Sequence, residues 1–387
     1  MGEQIGRSQV YMDHAATSFP KPEEVSRAVD EFLRVSAGNP GRSGHRLSAG
    51  AARMVFETRE AFSHRFGVDD SRRVIFVPGA TAGLNLVLFG LLDPGDHVVT
   101  TSMEHNAVMR PLRFLADTRD VTVTVVPASP EGLVDPDDLA RAVKPGTRLA
   151  IVNHASNVCG ALQPLPDIGR RLDGKVPLVV DAAQTGGLVP LDLEGLGVGA
   201  LAVSGHKGLM GPAGIGVLCL ADDVRPRPLI HGGTGSASEF DTQPDFLPDC
   251  YEAGTPNTPG IAGLGGGLRF LERVGSERVL AHERTLTARF LEALDDLPKV
   301  TVYGPRAIER RTGTVSLTVR GVDPGDVSGR LDREYGFWIR SGLHCAPNAH
   351  RTLGTFPRGS VRISFGLSNT SEEVDRLAEG LAEIAHG

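Results

Sequence analysis

An α/β fold with a mostly parallel sheet, followed by a smaller α+β part, is what this chain predicts. Three observations carry that expectation. Short β-rich runs alternate with helical stretches between residues 74 and 221, these runs are apolar throughout, and after Pro259 a long helical stretch gives way to mixed strands and helices. Strand–helix–strand alternation implies βαβ crossovers and parallel strands. Runs that are apolar on both faces belong to strands covered by helices on both sides.

VIFVPG (74–79) is the first such strand, and a helix follows from Ala80 to Leu92. The turn Asp93-Pro94-Gly95-Asp96 leads into HVVTTSM, and VTVTVVP, LAIVNHA, VPLVVDAA, ALAVSGH and IGVLCLA continue the series. From about Gly260 a helical stretch runs to Leu297, interrupted at Gly275 and closed by Pro298. Strands VTVYG, TGTVSLTVR, FWIRSG and VRISFGL follow, with helices over 323–335 and 371–386. The glycine cluster 263–267 follows no strand, so it predicts close helix packing and not a phosphate loop. Residues 15–259 are expected to form a large domain, and 1–14 with 260–387 a small one.

Composition narrows the class of function. The 387 residues carry a formal net charge of -7 with the cationic residues scattered, which argues against nucleic acid or an anionic membrane as partner. No apolar run approaches the roughly 20 residues of a membrane span. The opening MGEQIGRSQVYM has neither a basic nor an apolar leader region. Four cysteines without paired or metal-ligand spacing suit a reducing compartment, so a cytoplasmic globular protein without a metal site is expected.

Four strings carry chemistry. In SGHKGLMGPAGIGVL, Lys207 sits where an apolar strand ends and a glycine-rich stretch begins. It is either a surface lysine or a Schiff-base lysine, which needs a rigid strand end for aim and low polarity to lower its pKa. Ser204 and His206 beside it could donate to a phosphate or hold the lysine. In VPGATAGLN, a helix beginning at Ala80 and Thr81 offers free N–H groups and a hydroxyl to a phosphate, or Thr81 is an ordinary cap. In VPLVVDAAQTGG, Asp181 ends an apolar strand; it caps the next turn or pairs with a protonated pyridine nitrogen. In SMEHNAVMRPL, His105 is structural or stacks on a ring at the sheet edge where ligands of such folds gather.

This ordered set, with YMDHAATSFPKP, HASNVCG, YEAGTPNTPG, SGLHCAPNAH and VRISFGLSNTSEEVD, resembles the class V aminotransferase superfamily of pyridoxal 5'-phosphate (PLP) enzymes, fold type I. Within it the likeness is to the cysteine desulfurase family, in its SufS- and selenocysteine lyase-like branch, over nearly the whole chain. The resemblance implies a Schiff base on Lys207, Asp181 on the pyridinium nitrogen, His105 stacked on the ring and Gln184 on its phenolic oxygen. It implies Ala80, Thr81, Ser204 and His206 at the phosphate, with Thr255 reaching over from a second subunit of a homodimer. Arg362 would clamp the carboxylate of an amino acid substrate, assisted by Asn157, while Arg42 and His45 would line a loop closing the pocket. A sulfur-acceptor protein is a further expected partner.

Cys345 decides the reaction. Among glycine, histidine and proline, an accessible, readily ionised thiol is the stronger reading than a packed one, whereas Cys159, Cys219 and Cys250 are assigned to packing. The resemblance implies conversion of L-cysteine to L-alanine with a persulfide on Cys345, and possible activity on selenocysteine. β-Elimination from an S-substituted cysteine, giving a thiol, pyruvate and ammonia, would use the same lysine without that thiol. A scaffold that kept the fold and lost the chemistry is the third reading.

Overall fold

The computed structural model describes residues 9–41 and 43–386. β1 (Val10–Tyr11) opens the chain, followed by α1 (Glu23–Glu31), a π-helical turn over Phe32–Ser36, and α2 (Arg46–Arg65). The alternating region then comprises β2 (Val74–Val77), α3 (Ala80–Leu91), β3 (His97–Thr101), α4 (Asn106–Arg119), β4 (Thr122–Val126), α5 (Pro136–Ala142) and β5 (Thr147–Asn153). It continues through α6 (Leu165–Leu172), β6 (Leu178–Asp181), β7 (Val198–Ser204) and β8 (Gly216–Leu220). These seven strands lie in the order β2-β8-β7-β6-β5-β3-β4, parallel except for β8, which runs against both its neighbours.

Burial explains the apolar runs. β2, β3, β6, β7 and β8 are buried at every position, because apolar clusters cover both faces of the sheet. Only the edge strand β4 is largely open. Parallel strands place their C-terminal ends along one rim, so Asp181, Ser204 and the residues after Thr101 and Asn153 converge there.

Beyond the sheet come α7 (Thr258–Val274), α8 (Ser276–Asp295), β9 (Val300–Tyr303), β10 (Thr314–Val319), α9 (Pro324–Tyr335), β11 (Phe337–Trp338), β12 (Arg340–Gly342), α10 (Pro347–Thr352), β13 (Ser360–Ser364) and α11 (Ser371–His386). The run FWIRSG, expected as one strand, is two. Phe337–Trp338 pairs in parallel with Val10–Tyr11, whereas Arg340–Gly342 joins the antiparallel sheet β12-β13-β10-β9. The pairing partners, distant in sequence, make that division. A separate apolar cluster unites Val10 and Met12 with α8, α9, α11 and the antiparallel sheet. Among the described residues no helix is long and apolar enough to cross a membrane.

The 263–267 glycines do serve close packing. A Cβ at position 267 would stand 2.2 Å from the Leu209 carbonyl oxygen, and one at 266 would stand 2.5 Å from that of Glu24. Those contacts draw α7 against α1 and the chain just beyond Lys207. Gly267→Ala should therefore destabilise the protein by about 1–3 kcal/mol, despite alanine's better helix propensity. Gly50, in α2 with nothing within 4 Å of its Cβ position, is the control. Gly50→Ala should stabilise by about 0.5–1 kcal/mol. Thermal unfolding of both variants checks the pair; equal effects would remove the packing role.

Candidate active site

Lys207 follows β7 directly. The carbonyl oxygen before it, that of His206, gathers donors from the N-terminal segment: the Ser18 N–H at 3.0 Å, the Thr17 hydroxyl at 3.0 Å, the Ser18 hydroxyl at 3.2 Å and the Lys21 ammonium at 2.8 Å. The Lys207 side chain keeps partial access to the pocket, and among the described residues its ammonium has no hydrogen-bond or ion-pair partner. Desolvation pushes its pKa down to about 8, assisted by Arg362 and Arg340 and opposed by Asp181 and Cys345. His206 is pushed down to about 4, first by burial and then by the two lysines.

Around Lys207 the sheet rim supplies the remaining groups. Asp181 is buried at the end of β6; its Oδ1 accepts the Ala183 N–H at 2.9 Å, and its other oxygen has no hydrogen-bond donor among the described residues. His105 caps α4: its Nδ1 accepts the Ala107 N–H at 3.0 Å, which places the ring proton on Nε2. Burial lowers the His105 pKa, with Asp181 opposing and Lys207, Arg340 and Arg110 adding to the shift. Gln184 is half-buried and donates to the Ala15 carbonyl at 3.0 Å. α3 starts without a side-chain cap, so the first N–H groups at Ala80 and Thr81 remain free, and the Thr81 side chain is exposed.

A second group comes from the other sheet. Arg362 on β13 is almost wholly buried; its Nη2 pairs with Asp13 and its Nη1 donates to the Asn157 carbonyl at 3.0 Å. Its Nε is buried without a partner, as is Oδ1 of Asn157. Asn157 in turn donates to the His344 carbonyl at 2.7 Å. The loop carrying Asn157 is sewn to β10 by the Ser316 hydroxyl on the Val158 carbonyl and by Arg311, which is fully buried and donates to the carbonyls of Pro305, Cys159 and Thr314.

Cys345 is exposed, whereas Cys159, Cys219 and Cys250 are buried. His344 and Cys345 both adopt left-handed backbone conformations, at φ 48° and 57°, which turn the chain sharply between β12 and α10. The Cys345 carbonyl accepts the Asn106 N–H at 2.8 Å, so the loop docks on the residue that follows His105. Arg340 Nη2 lies 3.9 Å from the Cys345 sulfur.

The fold thus gathers Lys207, Asp181, His105, Gln184, Ser204 and His206 along one rim, together with Asn157 on the loop after β5, with Arg362 and Cys345 facing them from the second sheet. His45 spends its Nδ1 capping α2 at the Ser48 N–H, is exposed, and makes no hydrogen bond to the group. Arg42 lies outside the described residues. Thr255 is exposed on the wall of a separate cavity of about 440 Å³, with Val77, Pro78 and Asn85. Sequence reasoning missed Asp13 and Arg340. The first lay inside the YMDHAATS string and the second two residues after Trp338, both visible as charges amid apolar neighbours.

The donor set suits a flat pyridine aldehyde bearing a phosphate. It offers an amine shorn of hydration and ion partner, a buried carboxylate with an uncommitted oxygen, an imidazole of settled tautomer, and a helix start with free N–H groups. Only unprotonated Lys207 is nucleophilic, so cofactor-free protein should take up PLP at a rate that rises with pH through a midpoint near 8. Stopped-flow absorbance measures it; a midpoint near that of a free lysine, about 10, would show that the amine is not desolvated.

Comparison with known proteins agrees with the fold. The family model described as aminotransferase class-V matches residues 10–377. A probable cysteine desulfurase of Pyrococcus abyssi is 36% identical, over 97% of this chain and 94% of its own length. The apo structure of a cysteine desulfurase from Thermococcus onnurineus superposes with a TM-score of 0.90 at 35% identity, covering 98% of this chain and 95% of that one. The cysteine desulfurase CsdA of Escherichia coli, in its S-sulfonic acid form, gives 0.87 at 28% identity, with the same two coverages. With the fold and a match along almost its whole length in agreement, the chain belongs to the aminotransferase class-V family of PLP-dependent enzymes.

Proposed function

We propose that this enzyme is a cysteine desulfurase, taking sulfur from L-cysteine onto Cys345 and releasing L-alanine. The observation that carries the reading is the placement of Cys345: an exposed thiol on a sharply turned loop, docked beside His105 and facing the Lys207 rim. The similar proteins named above as cysteine desulfurases support it.

PLP, when bound, supplies an electron sink that acidifies the substrate's α-hydrogen and loosens its β substituent. Lys207 Nζ, Asp181, His105 and Gln184 would hold its ring end, and Ala80, Thr81, Ser204 and His206 its phosphate. Arg362 binds the substrate carboxylate through its guanidinium, with Asn157 beside it. Its existing pair with Asp13 keeps the buried guanidinium charged and aimed before substrate arrives. Lys207 Nζ takes the α-proton and returns a proton to carbon. The Cys345 thiolate bonds to the substrate sulfur as the carbon–sulfur bond breaks, and Arg340 steadies the anionic sulfur. The persulfide then passes its terminal sulfur to an acceptor thiol, for which the exposed loop leaves room.

The working species in this reading is a homodimer in the cytoplasm, with Thr255 serving the neighbour's phosphate. Support comes from the cavity beside Thr255, whose walls include Phe76, Leu86, Leu229 and Ile230, the last two exposed at 45% and 67%. Thr255→Val should weaken cofactor binding about tenfold, or roughly 1.4 kcal/mol. A fully active monomer by light scattering would exclude the shared site.

Cys345→Ala tests the reaction itself. The variant should lose alanine formation from L-cysteine while keeping the visible absorption of the loaded enzyme, and the wild type should carry one extra sulfur on Cys345 by mass spectrometry. Undiminished turnover in the variant, with pyruvate as product and no persulfide in the wild type, would make the enzyme a β-eliminating lyase instead.

A further inference from the structure

Beside Asp181 lies a second acid that the reaction above does not use. Glu104, directly before His105, is completely buried, and its Oε1 accepts the Thr101 hydroxyl at 2.6 Å and the Asn153 N–H at 3.0 Å. Its Oε2 is buried with no partner among the described residues, and so is Oδ1 of Asn153. The Asn153 amide cannot turn to help, because its nitrogen already donates to the Met103 carbonyl at 2.9 Å. Two residues that grip one another thus each present a buried acceptor without a donor among the described residues. An ionised Glu104 would leave a charged oxygen and a neutral one unsatisfied together, and each unsatisfied group is costly. One proton on Oε2 turns the first acceptor into a donor for the second.

We propose that Glu104 is a neutral carboxylic acid whose Oε2–H donates to Asn153 Oδ1, and that this clamp is a positioning device for Asp181. The proposal rests on the PLP reading in one respect, that Asp181 serves the ring nitrogen. Asn153 is paired with Asp181 in the β5–β6 register, and the next N–H, that of His154, donates to the Asp181 carbonyl at 2.9 Å. Fixing the end of β5 therefore fixes the height of Asp181 on the rim. Neutrality matters equally, since a second carboxylate here would repel the charge that Asp181 must keep. Burial, with a contribution from Asp181, pushes Glu104 up to about 8. The neighbouring titratable groups are Asp181 on β6, His105 at the head of α4 and His154 after β5; burial holds His154 down at about 3 and lowers His105. Lys207 and Arg340 lie beyond His105 on the pocket side.

Infrared difference spectroscopy between wild type and Glu104→Gln, without cofactor, should show the carbonyl band of a protonated acid at pH 7. Glu283→Gln protein labelled with ¹³C-glutamate gives the same band without a variant at 104, the replacement removing Glu283, the other buried glutamate pushed up to about 8. An ionised-carboxylate band at that pH overturns the proposal. In the loaded enzyme, Glu104→Gln should keep the pH midpoint of the visible absorption within about 0.3 unit, because the amide donates the same hydrogen bond; loss of a real negative charge would lower it by about one unit. Glu104→Ala should weaken cofactor binding about tenfold, and an affinity equal to that of Glu104→Gln removes the clamp. Absence of any visible absorption in wild type would defeat the cofactor reading, while the infrared band would still decide the proton on Glu104.

Discussion

The carbonyl oxygen of His206 is where the N-terminal segment is tied to the large sheet. Hydrogen bonds from Thr17, Ser18 and Lys21 converge on it, one peptide before Lys207. A few residues earlier the same segment gives Asp13 to Arg362, and before that it contributes β1 to the pairing with β11. Residues 10–21 therefore form a strap across the site, holding the lysine of one sheet in register with the arginine of the other. The position of Cys345 follows from that register, since its loop hangs from the second sheet, while Asn157, on the loop after β5 of the large sheet, is tied to that second sheet through Arg362 and His344.

Charge within the pocket follows a consistent plan. With Arg362 and Asp13 paired to each other, Lys207 and Arg340 outnumber the carboxylate of Asp181. Burial is the main cause of the lowered Lys207 pKa, with Arg362 and Arg340 adding to it, and the surplus leaves the pocket receptive to anions, as an amino acid carboxylate and a phosphate require. Burial keeps the histidines neutral, with His344 pushed down to about 2 and His350 to about 4, so added positive charge does not accumulate near the thiol. Neutral Glu104 is the counterpart on the acidic side.

Where a residue's role depends on its own strand end or turn, the sequence was legible. VPLVVD could only be a covered strand closing on a carboxylate, and SGHKG could only place a lysine at a sheet rim. Where a role depends on what packs opposite, it was not. FWIRSG looks continuous, yet Phe337 and Arg340 belong to different sheets because their partners come from residues 10–11 and 360–362. The resemblance implied His45 beside the pocket, and nothing in its local sequence hinted that its Nδ1 would cap the start of α2.

What the chain determined by itself was the order of elements, the buried character of the sheet and the chemistry available at its rim, because apolar continuity and strand ends are local properties. What only the tertiary structure decided was which charges meet. The buried Arg362 acquires Asp13 from 349 residues away, Cys345 docks on Asn106, and Glu104 finds Asn153 across two strands. Such pairings arise because burial makes an unpartnered charge or acceptor costly, and the partner that relieves it is chosen by the folded surface and not by sequence distance.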